Sequence, residues 1–363
     1  MVRFACALLI AVLFSPIALA AGVFERKIER VEGDVWMTYR PDVLRQPVDG
    51  NTVFIVGAQE VIVVDAGGGP VSANESIRLL RTVTDKPVRR LINTHWHGDH
   101  TLGNARWAEV YPGLEIIAHA RTREAMSGRA MNYVQDYVRD LPGFAEQLEK
   151  SVATGKRSDG TALTPAQIEH NRTFAADIRA YVASLVATKI LPPTRTITDK
   201  LTLDLDGQAI EVSFPGEGHT DGDLVVWLPV QRILIGGDLV GSPIPFGTAS
   251  YPKHWASDLD RIASLQPRLI VPGHGPVQHD LTYVGQLRAL LLRIADQARA
   301  AADAKMPFEA FEKGLDLGAT AAPFKGDDNQ DFMFRETFLK PIARGAYNEA
   351  TGKPIVQGAL GKS

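Results

Sequence analysis

The sequence predicts an α/β protein in which two strand-rich halves share one polar site. Three observations carry that expectation. In the first half, short β-branched apolar runs alternate with segments of helical spacing, with glycine and proline between them. In the second half, three strand ends each present a single histidine or aspartate flanked by glycine, as strands do when they deliver side chains to one sheet edge. The 363 residues are 45% hydrophobic and 22% charged, enough to bury a sizeable core.

The elements follow in chain order. Asp34 to Arg40 alternates like a strand, and Asp49-Gly50-Asn51 reads as a turn before a second strand, Thr52 to Val56. Val61 to Val64 is wholly apolar, suits a buried strand, and ends in Asp65, a candidate for orienting ligand loops. Ser76 to Thr84 has helical spacing, with Ser72 or Asn74 as its cap. Val88 to Asn93 is the strand that leads into Thr94-His95-Trp96-His97-Gly98-Asp99-His100. A helix over Leu102 to Tyr111 and a strand over Leu114 to Ala118 complete this half.

Strand signals vanish between about residues 121 and 190, where helical spacing predicts an insertion over the site, interrupted at Gly155 to Gly160 and restarted at Thr164-Pro165. His170 within it reads as a solvated helix residue. Thr196 to Thr198, Leu201 to Leu205 and Ile210 to Phe214, turned at Asp206-Gly207, resume the sheet as a hairpin. A glycine-rich loop then carries His219, Thr220, Asp221 and Asp223. Strands over Leu224 to Leu228, Arg232 to Ile235 and Leu269 to Val271 follow; the last two end in Asp238 and His274. Beyond Asp280 the chain is helical, with Leu281 to Ala304, Phe308 to Lys313 and Phe332 to Tyr347 as its segments, and Phe308, Phe311, Phe332, Phe334 and Phe338 as core anchors.

A net charge of −3 with scattered lysines and arginines supplies no basic footprint for nucleic acid. Residues 1–20 read as a secretory signal: Arg3 precedes an apolar run from Phe4 to Phe14, and Ala18-Leu19-Ala20 is a small-x-small cleavage site. The only cysteine, Cys6, lies inside it, so the processed chain is expected to have no thiol and to take metal through His and Asp. A bacterial periplasmic or secreted location follows, and no later stretch is long and apolar enough for stable membrane insertion.

Neutral imidazole nitrogen and carboxylate oxygen are ligands that zinc accepts. Collected along the chain, His95, His97 and His219 suit one ion and Asp99, His100 and His274 a second, with Asp238 between them. Thr94, Thr220, Asp221 and Asn104 stand beside ligand positions as candidate supports. Asp221 and Asp223 are equally readable as turn formers. Trp96 is assigned to packing, and none of Ser213, Ser242 or Ser250 sits in a nucleophile elbow.

The motif His95-x-His97-x-Asp99-His100, followed by His219, Asp238 and His274, resembles the metallo-β-lactamase superfamily over about residues 51–275. The resemblance implies a four-layer αββα sandwich with the site in the cleft between its sheets. With the elements above, this gives a catalytic domain over residues 21–280 that contains the helical insertion of about residues 121–190, and a helical C-terminal extension over residues 281–363 packed on that domain; the insertion and the extension lie outside the likeness. It also implies a two-zinc hydrolase in which a metal-bound hydroxide, oriented by Asp99, attacks a small ester, lactone or amide, with β-lactams included. The largest β-lactamase subclass has Cys where this chain has Asp238; an aspartate there resembles glyoxalase II, lactonases, phosphoesterases and RNA-processing members. Two alternatives stand beside this: an iron-dependent enzyme of the sulfur dioxygenase kind, and a non-catalytic metal-binding protein.

Overall fold

The computed structural model describes residues 22–358; the expected signal, residues 1–20 with Cys6, lies outside the described residues. Strands β1 (Lys27–Glu32), β2 (Val35–Tyr39), β3 (Thr52–Val56), β4 (Val61–Val64), β5 (Val88–Ile92), β6 (Glu115–His119) and β7 (Arg195–Ile197) form one sheet in sequence order. The second sheet runs β12 (Leu269–Pro272), β11 (Ile233–Gly237), β10 (Val225–Leu228), β9 (Gln208–Ser213), β8 (Lys200–Leu205). Strands β4 to β7 are parallel, and so are β11 and β12.

The apolar runs are apolar throughout because each strand is covered on both faces. In β4, Ile62 and Val64 face the second sheet, whereas Val61 and Val63 pack on α1 (Pro70–Leu80) with Ile77 and Leu80. In β11, Ile233 and Ile235 point into the same inter-sheet core, while Leu234 packs outward. Two short helices, α2 (Gly98–Thr101) and α3 (Asn104–Val110), follow β5; Trp107 of α3 joins the outer layer of the first sheet.

The insertion comprises α4 (Ala120–Ser127), α5 (Tyr133–Thr154) and α6 (Pro165–Val186), and a capping box between Thr164 and Gln167 starts α6. The outer layer of the second sheet comes from α7 (Pro252–Ser264), α8 (Thr282–Asp303), α9 (Phe308–Gly314), α10 (Asp328–Met333) and α11 (Lys340–Thr351). The expected four-layer sandwich with its helical insertion and helical C-terminal region is therefore the observed architecture.

Several expectations are corrected. The helix expected at Ser76 starts at Pro70, because proline fits the first helical position, and neither Ser72 nor Asn74 caps it. The strand at Arg195–Ile197 pairs in parallel with β6 at the edge of the first sheet, so only β8 and β9 form the hairpin. Strand β1 and helix α7 were not anticipated. Phe332 is 51% exposed and anchors no core, unlike Phe308, Phe311, Phe334 and Phe338.

Candidate metal centre

Five segments meet at one edge of the sandwich. The register of β4 against β5 sets Val64 beside Ile92, so Asp65 emerges next to Thr94 and the histidine run. The register of β11 against β12 sets Gly237 beside Pro272, so Asp238 and His274 emerge together. His219 arrives from the loop between β9 and β10. Two backbone bonds join the sheets there: Leu224 N–H donates to the Thr94 carbonyl at 2.7 Å, and Asn51 N–H to that of Gly273 at 2.6 Å. Gly273 cannot carry a side chain, since a Cβ there would lie 2.0 Å from Asp238 Oδ1.

All seven sequence candidates converge. Donor atoms of His95, His97, His219 and Asp238 lie within 4.8 Å of one another, as do those of Asp99, His100 and His274. The carboxylate of Asp238 joins the two sets: Oδ2 is 3.5 Å from His219 Nε2 and 3.9 Å from His95 Nε2, while Oδ1 is 3.3 Å from His100 Nε2 and 3.4 Å from His274 Nε2. Asp99 Oδ2 is 3.1 Å from His274 Nε2 and 3.5 Å from His100 Nε2. Ligand atoms about 2.0–2.2 Å from a tetrahedral zinc stand roughly 3.3–3.6 Å apart, and most of these spacings fall close to that range. Two pairs of imidazole nitrogens also face each other, His97 with His219 at 3.0 Å and His100 with His274 at 3.2 Å. Buried His95 Nε2 has no hydrogen-bond partner. This donor set fits two divalent cations.

Three of the five imidazoles are aimed by their other nitrogen, whereas His97 Nε2 and His274 Nδ1 are buried without a hydrogen-bond partner. His95 Nδ1 meets the Thr94 hydroxyl at 3.0 Å, His100 Nδ1 meets Asp65 Oδ2 at 2.8 Å, and His219 Nδ1 meets the Phe246 carbonyl at 3.0 Å. Asp65 also accepts from the Thr94 amide and hydroxyl, and it holds a left-handed φ of 63° to do so. Thus Asp65 and Thr94 perform the supporting roles expected of them, and Asn104 supports the loop through Asn93, which donates to the His100 carbonyl. Thr220 and Asp223 bond to each other and form a turn. Asp221 takes no part in the cluster.

Burial drives the imidazoles of His95, His97 and His219 below their ordinary pKa, His97 to about 3, which leaves them neutral as metal ligands must be. Burial pulls His100 and His274 the same way, but Asp238 and Asp99 outweigh it, and His274 is raised to about 9. Those two cations, against the effect of burial, hold Asp99 at about 2 and Asp238 below the usual carboxylate range.

Other functional side chains were not legible in advance. Asp49, read as a turn residue, accepts from Arg26 and from the Gly68 amide, and Asn51 Nδ2 holds the carbonyls of Pro272 and Gly275 on either side of His274. Above the cluster lies a cavity of about 440 Å³, with His97, Asp99 and Asp238 on its floor. Tyr133, Tyr137, Leu141 and Phe144 of α5 recur there at four- and three-residue spacing, a pattern that could have marked them as one face.

Comparison with known proteins agrees with this geometry. Residues 45–274 match the model of the metallo-beta-lactamase superfamily. A linear primary-alkylsulfatase of Pseudomonas sp. is 26% identical over 232 residues, 61% of this chain and 40% of the relative. A type 2 metallo-beta-lactamase of Bacteroides fragilis is 37% identical over 98 residues, 25% of this chain and 39% of that protein. The matches thus span about two fifths of these relatives' lengths. Among solved structures, a metallo-beta-lactamase from Pontibacter korlensis superposes with a TM-score of 0.51 at 20% identity, over 74% of this chain and 99% of that one. A stereoselective inverting sec-alkylsulfatase from Pseudomonas sp. gives 0.60 at 14% identity, over 89% of this chain and 50% of its own. With more than half of its length matched to the family model, the chain belongs to the metallo-beta-lactamase superfamily.

Proposed function

We propose that this chain is an exported hydrolase that uses two zinc ions to cleave a small ester, lactone or amide. The observation that carries the reading is the convergence of seven His and Asp donors, in two sets joined by Asp238, beneath a cavity of small-molecule size. His95, His97 and His219 would hold one ion, Asp99, His100 and His274 the other, with Asp238 between them. When bound, zinc supplies Lewis acidity, lowering the pKa of water toward about 7 and polarising the bond to be cleaved.

The chain's own residues supply the rest. Asp99 orients the attacking water by accepting its hydrogen bond. Tyr133 stands over the same spot: a Cβ on Gly98 would lie 1.8 Å from its hydroxyl oxygen. Burial, with Tyr181 and Asp99 nearby, pushes the phenol up, so it keeps its proton and donates a hydrogen bond to the carbonyl or leaving-group oxygen. The insertion excludes water from one side of the cavity. Ser242 and Ser250 bond to the backbone carbonyls of His274 and His219 and serve as supports, not nucleophiles.

The test is elemental analysis of protein purified from the periplasm, together with turnover of a chromogenic ester. The expected result is about two zinc per chain, a mature N-terminus at Ala21, and a loss of about 100-fold or more in kcat for Asp99→Ala with the fold retained. Predominant iron would overturn the reading in favour of oxygen chemistry. Unchanged turnover after chelation would overturn any metal-dependent mechanism.

A further inference from the structure

We infer that the cavity selects uncharged acyl substrates, carboxylic esters or lactones with an aliphatic or aryl group, and disfavours those carrying an anion away from the scissile bond. The inference rests on the hydrolase reading above and names its substrate class. From α5, Tyr133, Tyr137, Leu141 and Phe144 form one wall; Phe174, Ile178 and Tyr181 of α6 extend it. Val48, Trp96 and Phe246 face them. Apart from Tyr133, the side chains that could read a remote polar group are Gln46, Thr248, Thr337, Glu336 and the hydroxyls of Tyr137 and Tyr181, none of them a cation.

Among the described residues lining the cavity there is no Lys or Arg, and its carboxylates are Asp99, Asp238 and Glu336. The nearest cations in sequence are already engaged. Arg45, beside Gln46, makes a two-pronged pair with Asp177 at 2.7 and 2.9 Å. Arg335 and Lys340 both pair with Glu336, at 2.9 and 2.6 Å. A substrate carboxylate against this wall would lose its water and gain no counter-charge, an unfavourable exchange in an apolar site. An alkyl or aryl group in the same place is favoured by its own burial. A carboxylate-bearing β-lactam therefore fits poorly, even though the catalytic floor has the chemistry to open its ring.

A matched pair of esters tests this on the zinc-loaded protein: p-nitrophenyl pentanoate, and the half-ester mono-p-nitrophenyl glutarate, which has a carboxylate in place of the terminal methyl. The expected kcat/KM favours the pentanoate by about 100-fold or more, and from acetate to pentanoate it rises by up to about fourfold per buried methylene. A preference for the glutarate, or a flat chain-length series, overturns the inference while leaving the hydrolase standing. Failure to cleave any of the esters overturns the hydrolase reading and this inference with it. Phe144 is 41% exposed and edge-on to Phe174, so its substitution is expected to leave the fold intact. Phe144→Arg is expected to narrow the pentanoate-to-glutarate ratio at least tenfold at unchanged zinc content. An unchanged ratio would mean the wall does not set the selectivity, which overturns the assignment.

Discussion

At the scale of single residues, the site depends on groups that aim its ligands. Asp65 accepts three hydrogen bonds, from the Thr94 amide, the Thr94 hydroxyl and His100 Nδ1, and so ties both ends of the histidine run to the tip of β4. Asp65→Asn keeps the shape but loses the charge and one acceptor atom. Zinc affinity is expected to fall about 10- to 100-fold, read by competition with a chromogenic chelator; an unchanged affinity would remove Asp65 from the aiming role. In the proposed mechanism Tyr133, which lines the cavity, acts on the substrate side. Tyr133→Phe removes only the hydroxyl, and kcat is expected to fall about 10- to 100-fold with zinc content and KM nearly unchanged. The loss should grow as the leaving group becomes poorer, because a hydrogen-bond donor matters most where negative charge builds on oxygen. A uniform loss across leaving groups would indicate a packing role instead.

At the scale of elements, what the sequence made legible follows from how local the causes are. The seven cluster residues stood out because strands ending in glycine-flanked His or Asp leave a pattern within a few residues. Strand β1 was hidden because its KIERVE segment is an edge strand, charged and nowhere fully buried, with no apolar alternation to read. Helix α1 starts earlier than its spacing predicts, because Gly67-Gly68-Gly69-Pro70 looks like loop although its proline opens the helix. The bonds of Asp49 and Asn51 join positions 23 and more than 200 residues apart, and no local pattern encodes such pairings. Helix α7 was also unread, and it carries a titrating group. Asp258 is 1% exposed; Oδ1 meets Arg261 at 3.0 Å, while Oδ2 is buried without a hydrogen-bond partner. Burial first, then Glu217 nearby, against the opposing pull of Arg261, pushes its carboxyl from 3.8 up to about 7. A carboxyl raised on folding binds its proton more tightly in the folded chain, so its stabilisation is full below about pH 4 and is lost as pH rises through about 7. Asp258→Asn should therefore match the parent near pH 4 and exceed it by about 4 kcal/mol at pH 8. A difference between the two denaturation curves that does not vary with pH would contradict this.

At the scale of the whole molecule, the ligand loop is held by the far end of the described chain. Trp96 lies between His95 and His97, is 1% exposed, and packs with Met126, Met131 and Leu185 of the insertion, while one edge lines the cavity. Its ring meets that of His97 edge-on at 4.4 Å. The indole N–H donates to Gln357 Oε1 at 2.8 Å, and Gln357 Nε2 donates to the Ala249 carbonyl at 3.1 Å. The next residue, Gly358, lies against Ala130, close enough that a Cβ there would be 2.3 Å from its Cα. Positions 261 residues apart thus join three parts: the metal-ligand run, the insertion that walls the cavity, and the loop before α7. Gln357→Ala leaves a buried indole N–H without its acceptor, a loss of about 1–3 kcal/mol. Part of that loss falls on the position of Trp96, so the melting temperature and zinc affinity should drop together, the latter by several-fold. Gln357→Glu keeps an acceptor for the indole but sets its second carboxylate oxygen against the Ala249 carbonyl, so it should restore the zinc affinity and only part of the melting temperature. If Gln357→Ala lowers the melting temperature yet binds zinc as tightly as the parent, the tail stabilises the fold without reaching the histidines. If the glutamate variant restores zinc affinity while stability stays partly lost, the indole hydrogen bond is the link between the C-terminal segment and the histidine run.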